Sequence, residues 1–364
     1  MKIIMKIVLI PSSVELVGVS IHVLNLARLL HNKSLLEYVI CPGEGWLSEK
    51  LCKENLPYRV VHISYKSLLF FNSNIKLFQI LKANKSSKIV HLHGRMPLFA
   101  SLLSMSANKH LRFVATIHQF RDAAKAGLFG WKNHLETSIL RHGIKRIYCV
   151  SDDLKIEVNK RLGDKHQNKI SVIKNWISPV PKNNKEKGNW PADNQADYLK
   201  IISVGRLAQE KGFDILIDAV RILTEKAIKI RCDIFGDGPE TPNLTAQIIK
   251  YNLGNIIKLS GVSDRIRHIL PEYDILVIPS RTESFGIVAL EAYESGVPVI
   301  ASNIPGLREI VRHEETGLLF EPGNAASLAF QISQLKKSPG NEILITQNAR
   351  NFVKSFYPNE ILVE

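Results

Sequence analysis

Short runs of apolar residues alternate along the chain with longer stretches whose apolar positions recur every three or four residues. The short runs read as buried strands at residues 3–11, 38–41, 58–63, 89–93, 113–117, 146–150 and 170–173 in the first half. In the second half they fall at 200–204, 230–235, 256–259, 275–279, 297–301 and 317–320. Their length and their Val, Ile and aromatic content select strand over helix. Helical periodicity separates most of them, as in 22–31, 213–226 and 325–335. Alternation of this kind indicates parallel sheets covered by helices.

Between the halves, VPKNNKEKGNWPADNQAD (residues 180–197) is polar and rich in Asn, Lys, Pro and Gly. Such a composition cannot bury a core and reads as a linker. A chain of 364 residues also exceeds one ordinary core. The expected fold is therefore α/β: two Rossmann-like domains, 1–179 and 198–340, with parallel sheets facing a central cleft. In the remaining segment, 341–364, residues 342–356 suit a helix and Pro358 interrupts it, so any return to the first domain is short.

The opening MKIIMKIVLIPSS has the basic-then-apolar order of a signal peptide but no small-residue cleavage site, and a buried first strand explains it better. No apolar run reaches the roughly 18 to 20 residues of a membrane span. Cys41, Cys52, Cys149 and Cys232 are scattered without metal or redox spacing, as expected of reduced thiols in a cytoplasmic protein. The formal charge of +14 is unevenly shared. Residues 1–180 hold 27 Lys and Arg against 11 Asp and Glu, whereas the remainder holds 21 against 23. A positive first half suits an anionic partner: the inner face of the cytoplasmic membrane, an acidic glycolipid, or nucleic acid.

Candidate chemistry concentrates in RTESFGIVALEAYESGVPVIAS, residues 281–302. Glu283 and Glu291 stand eight positions apart around Phe285-Gly286-Ile287-Val288. Pro279 and Ser280 end the preceding strand, which puts Glu283 in a loop, and Ser284 suits the N-cap of the next helix. Gly286, Ile287 and Val288 then present backbone N–H groups at a helix end, which attracts phosphate. Glu291 follows Ile287 by four and Val288 by three, so it projects from the same helix face. Carboxylates on both sides of an anion site suit a ligand with phosphates in the middle and hydroxyls at both ends, such as a nucleotide sugar. Upstream, in KIISVGRLAQEKGFDILIDAV, a strand runs into Gly205-Arg206 and then Lys211-Gly212. Gly205 allows a tight turn. Arg206 and Lys211, at the carboxyl end of a strand, can clamp a diphosphate.

These segments resemble the family 4 retaining glycosyltransferases (glycosyl transferases group 1), which have the GT-B fold, and among them the bacterial lipopolysaccharide and capsule type. Residues 281–302 are similar to the family's E-x7-E signature, including the aromatic-Gly turn and the Gly296-Val297-Pro298-Val299 that follows. The run from Lys200 resembles its VGRL…KG element, Phe235-Gly236-Asp237-Gly238-Pro239-Glu240 its FGxGP turn, and Ser260-Gly261-Val262 its xG-hydrophobic element near the base. In the first half, Val17-Gly18-Val19-Ser20 resembles the glycine-rich loop beneath the donor phosphates, with Val17 where the family has a first glycine. IVHLHG (residues 89–94) and Thr116-Ile117-His118 resemble its two His-bearing strand ends, and Arg95 suits an anionic acceptor. Val150-Ser151 and Asn175 fit elements near the domain junction.

The resemblance implies a hexosyltransferase that moves sugar from a nucleoside diphosphate, UDP foremost, to an envelope glycan or glycolipid such as lipopolysaccharide, O-antigen or capsule. The first domain would bind the acceptor and the second the donor. It assigns His118, Arg206, Lys211 and Glu283 to catalysis, with Glu283 on the sugar hydroxyls. Gly18, Gly205, Gly236, Val262, Phe285, Gly286, Ile287, Val288 and Glu291 complete the donor site, with Glu291 on the ribose. Arg206, Lys211 and the helix end would stabilise charge on the departing diphosphate. No Asp-x-Asp motif is present, and neither metal nor cofactor is expected; Asp152-Asp153 suit the first turn of a helix after Ser151. No nucleic-acid partner follows from this reading. Two others stay open: a GT-B sugar-nucleotide epimerase-like enzyme, and a basic nucleic-acid-binding protein without transferase activity.

Overall fold

The computed structural model describes residues 5–63, 69–82, 88–108, 110–119, 130–177, 198–337 and 339–356. The chain divides into two compact units, Met1–Asn175 and Trp176–Glu364. The expected linker at 180–197 lies outside the described residues, as do 1–4 and 357–364.

The first unit is a seven-stranded parallel sheet in the order β3-β2-β1-β4-β5-β6-β7. Its strands are β1 (Lys6–Pro11), β2 (Leu36–Cys41), β3 (Tyr58–Val60), β4 (Lys88–His93), β5 (Leu111–Ile117), β6 (Arg146–Cys149) and β7 (Ile170–Val172). The intervening helices are α1 (Gly18–Asn32), α2 (Trp46–Lys53), α3 (Leu69–Lys82), α4 (Arg95–Ala100), α5 (Leu102–Ala107), α6 (Gly130–His142) and α7 (Asp152–Leu162). α7 begins where the acidic pair predicted it, with Ser151 Oγ accepting from the Leu154 N–H at 3.2 Å.

The second unit is a six-stranded parallel sheet, β10-β9-β8-β11-β12-β13. It comprises β8 (Leu199–Val204), β9 (Ile230–Phe235), β10 (Ile257–Gly261), β11 (Ile275–Ile278), β12 (Val299–Ser302) and β13 (Leu318–Phe320). Around it run α8 (Phe213–Glu225), α9 (Thr241–Lys250), α10 (Ile266–Ile269), α11 (Ile287–Ser295), α12 (Ala325–Lys337) and α13 (Pro339–Val353). Every strand expected from the apolar runs is present, with ends displaced by a few residues. β11 shows why: all four of its side chains are buried, as a strand covered on both faces requires. Leu216, Val220 and Leu223 of α8 and Leu328 and Ile332 of α12 share one core with Ile201, Ile234, Val277 and Ile300. Each such side chain contributes about 1.5–3 kcal/mol by leaving water. The last helix, α13, packs on α11 and α12 within this unit.

In each sheet the strand order reverses beside the first strand: β1 lies between β2 and β4, and β8 between β9 and β11. Loops leaving the carboxyl ends of the two flanking strands diverge there, which is where open α/β sheets hold ligands. The loops after β8, β9 and β10 are also joined backbone to backbone. Gly205 N donates to Phe235 O at 2.9 Å, Leu207 N to Asp237 O at 2.9 Å, and Gly236 N to Gly261 O at 2.8 Å. Gly236 makes this possible: its φ is +143°, and an added Cβ would stand 1.8 Å from Gly205 O.

Gly236→Ala is therefore expected to cost about 1–3 kcal/mol, read as a lower thermal midpoint. Gly254→Ala, whose added Cβ meets nothing within 4 Å, is the control and should hold the wild-type midpoint. Equal midpoints for the two variants would mean that the loops are not packed as described.

Candidate functional site

The crevice of the second sheet is built from two loops held in register. Arg281 Nη1 and Nη2 donate to the two carboxylate oxygens of Asp214 at 2.7 and 2.6 Å, and Nη1 also donates to Gln209 O at 2.9 Å. The Arg281 N–H donates to Glu210 O at 2.8 Å. This fork ties the loop after β11 to the turn after β8. As a result Lys211 Nζ donates to Glu283 Oε2 at 2.5 Å, with the two side chains 25% and 19% exposed. Ser280 Oγ lies 3.5 Å from the same oxygen. Arg206 differs: its guanidinium is 58% exposed and its ion-pair partner, Glu210, is 4.0 Å away. It is available to an external anion.

Beside Glu283, helix α11 starts differently from the expectation. Gly286 is the N-cap, with φ 81° and ψ 54°, and no side chain caps the end. Ser284 is not the cap, because the chain turns through a left-handed glycine whose added Cβ would stand 2.6 Å from Leu307 Cδ2. Ile287 and Val288 occupy the first two helical positions, where backbone N–H groups have no intrahelical acceptor. Glu291, one turn on, is partly buried. Burial raises its pKa to about 7, against the opposing pull of Arg267 and reinforced by Glu294.

The surroundings of three expected donor-site residues are as follows. The Phe285 ring is buried and meets Phe356 edge-on at 5.9 Å, so only its backbone can face a ligand. Gly205 needs no glycine geometry: a Cβ there would make only ordinary contacts, the nearest 3.5 Å from Phe213 Cζ, and the close approach belongs to Gly236 instead. Gly18 opens α1 behind Val17, and a Cβ there meets nothing within 4 Å, so the protein's own packing does not demand glycine. Val262, past the end of β10, is 60% exposed.

In the first unit, His93 at the end of β4 and His118 just past β5 come together, with Nδ1 of His93 3.4 Å from Nε2 of His118. Two further histidines join them. His22 of α1 has its ring 4.8 Å from that of His118, and its Nδ1 lies 2.7 Å from Asn175 Oδ1. His91 of β4 has its ring 4.2 Å from that of His93, and its Nε2 lies 2.7 Å from Thr116 Oγ1. Burial lowers the pKa of His22 to about 4 and of His91 to about 3, and drives His93 and His118 well below the usual value, so all four rings are neutral at pH 7. The sequence signal for His22 was faint: a polar residue on the buried face of a helix whose partner is 153 positions away. Arg95, read as a contact for an anionic acceptor, donates to Asn133 Oδ1 at 2.7 Å and lies 3.3 Å from the buried Glu136.

Residues 184–352 match the family model for glycosyl transferases group 1, and residues 17–180 that for glycosyltransferase family 4. An uncharacterized glycosyltransferase of Methanocaldococcus jannaschii is 30% identical over 286 residues, 74% of this chain and 71% of that one. The chain belongs to the group 1 glycosyltransferases. A Klebsiella pneumoniae protein, described as an uncharacterized protein in the cps region, is 29% identical to this glycosyltransferase over 320 residues, 82% of each chain. The crystal structure of Anabaena HepE in complex with UDP and glucose superimposes with a TM-score of 0.83 at 19% identity, covering 97% of this chain and 95% of that one. That likeness gives the fold as GT-B, in keeping with the two parallel-sheet units. The epimerase-like and nucleic-acid-binding alternatives are not favoured. Among the described residues, no helix of the glycosyltransferase is long and apolar enough to cross a membrane.

Glu291 gives a pH test of this geometry. The folded carboxyl holds its proton to about pH 7, against an ordinary value of 4.5. Its contribution to stability is thus fully present below pH 4.5 and is lost as pH rises through 7. Glu291→Gln stays neutral throughout, so its thermal midpoint relative to the wild type should climb across that window. A difference independent of pH would place the Glu291 carboxylate in water.

Proposed function

We propose that this glycosyltransferase moves a hexose-type sugar from a UDP-sugar to an envelope glycan or glycolipid, with retention at the anomeric carbon and without a metal ion. The observation that carries this reading is the contact of Lys211 with Glu283 beside the uncapped start of α11. A diphosphate brings more negative charge to Lys211 than one carboxylate does. It therefore competes with Glu283 for the ammonium and frees the Glu283 carboxylate for sugar hydroxyls. Arg206, exposed and loosely paired, supplies the second cation, and the Ile287 and Val288 N–H groups donate to phosphate oxygens. Glu291 takes the ribose hydroxyls. As the glycosidic bond breaks, charge grows on the leaving diphosphate, and these fixed cations and amides stabilise it with little reorganisation. The acceptor hydroxyl attacks from the side the leaving group departs, and a phosphate oxygen takes its proton.

Residues 198–340 are assigned to the donor, with Gly205, Gly236, Val262 and the Phe285-Gly286 backbone lining it. Residues 1–179 are assigned to the acceptor, and they also lend Gly18 to the donor phosphates and His118 to the transferred sugar. Residues 180–197 are the linker and 341–364 the closing segment. UDP as the nucleotide of the donor is supported by the Anabaena complex, and an envelope acceptor by the Klebsiella relative from the cps region. The excess of Lys and Arg in residues 1–180 supports an acidic glycolipid acceptor, or contact with the anionic inner face of the cytoplasmic membrane.

The test is transfer and slow hydrolysis of UDP-, GDP- and ADP-sugars in the presence of EDTA, with product configuration followed by NMR. UDP-sugar turnover with retained configuration is expected. Lys211→Ala should lower kcat/KM about a hundred- to a thousandfold while the circular dichroism spectrum is unchanged. Inversion at the anomeric carbon, loss of turnover on chelation, or an undiminished Lys211→Ala variant would each overturn the corresponding part of the reading.

A further inference from the structure

His22, His93 and His118 come from three different elements, α1, the end of β4 and the segment after β5, yet face one point. Each can bring a ring nitrogen within 4.8 Å of those of the other two. The His93 Nδ1 to His118 Nε2 separation is 3.4 Å. A tetrahedral ion with metal–nitrogen bonds of about 2.0–2.1 Å holds its ligand nitrogens roughly 3.3–3.4 Å apart. One edge of such a tetrahedron is therefore already formed, and the remaining nitrogen pairs lie within 4.8 Å.

The surroundings suit an ion as well. An amide oxygen only accepts, so Asn175 Oδ1 at 2.7 Å places the proton of His22 on Nδ1 and leaves the lone pair on Nε2. That is the arrangement in which an outer partner fixes the tautomer and orientation of a metal-binding imidazole. His93 is wholly buried, and it turns Nδ1 to His118, which puts its proton on Nε2 when Nδ1 offers the lone pair. His91, although its ring lies against that of His93, is turned to Thr116 and acts as a buttress rather than a ligand. His118, the partly exposed member, leaves room for a water as fourth ligand. Three imidazoles with no carboxylate select a borderline transition ion over Mg2+ or Ca2+, which require oxygen ligands.

We propose that His22, His93 and His118 form a three-histidine site for Zn2+ or a similar divalent transition ion, and that the bound ion withdraws His118 from sugar transfer. The inhibitory half rests on the proposed role of His118; the binding half does not.

The experiment titrates Co2+ into the full chain after chelation. One equivalent should produce the intense visible absorption of tetrahedral cobalt, and Zn2+ should displace it. His22→Gln and His93→Gln should abolish the tetrahedral spectrum, and Asn175→Ala should weaken the affinity about 10- to 100-fold. Thermal melting without metal establishes that each variant folds. In the wild type alone, a weak octahedral spectrum or no stoichiometric binding overturns the site, as does a spectrum undiminished in the folded variants. Stoichiometric Zn2+ should also stop turnover of a UDP-sugar, and EDTA should restore it. Tight binding with continued turnover would retain the site and overturn both the inhibition and the assignment of His118 to the sugar.

Discussion

Arg281 grips Asp214 with both arms while its own backbone and one nitrogen hold the carbonyls of Glu210 and Gln209. The consequence is geometric. Lys211 and Glu283 lie 72 positions apart in the chain, on loops leaving neighbouring strands β8 and β11, and the fork sets the distance between them. A planar guanidinium with several donors can do this where a lysine cannot, because it binds carboxylate and carbonyls at fixed angles. The pair is partly exposed, so its own contribution to stability is small. Its importance lies in position: a cation and a carboxylate held ready at the point where the sheet opens.

The same unit sets opposite electrostatic conditions at the two acids of the E-x7-E stretch. Glu283 stands next to the Lys211 ammonium, which donates to it at a partly exposed position. Glu291 is desolvated, with Arg267 only partly offsetting the cost and Glu294 adding to it, so it titrates near neutrality. A carboxyl of that kind can both donate to and accept from a diol. The support beneath is aromatic. Phe285 meets Phe356, and Phe356 in turn meets Phe352 at the end of α13, so the last helix fixes the turn that leads into α11.

The strands were legible because a parallel sheet covered on both faces needs continuous apolar runs, and β8, β9 and β11 are such runs. The order of Lys211, Glu283 and Glu291 along the chain was enough to place them in one unit. Cap chemistry was less legible. Ser284 has the right composition for an N-cap, but Leu307 packs where only glycine leaves space, so the turn passes through Gly286. The glycines showed the same limit: Gly205 and Gly236 look alike in sequence, and only the contact of one with the carbonyl of the other shows which of them is required. Phe285 is ambiguous in the sequence for a related reason, since an aromatic next to a loop motif serves equally as ligand contact or as core.

The histidines of the first unit follow a different logic from the charged pair of the second. Burial holds His22, His91, His93 and His118 neutral, so none adds to the positive field of residues 1–180, which belongs to Lys and Arg. A neutral imidazole donates at one nitrogen and accepts at the other. It can therefore order a hydroxyl while carrying no charge of its own. The same neutrality leaves lone pairs in a cluster, where Asn175 and Thr116 each engage a ring directly. A hydroxyl and a transition ion both call for such a lone pair, so burial that keeps a histidine neutral suits it to either.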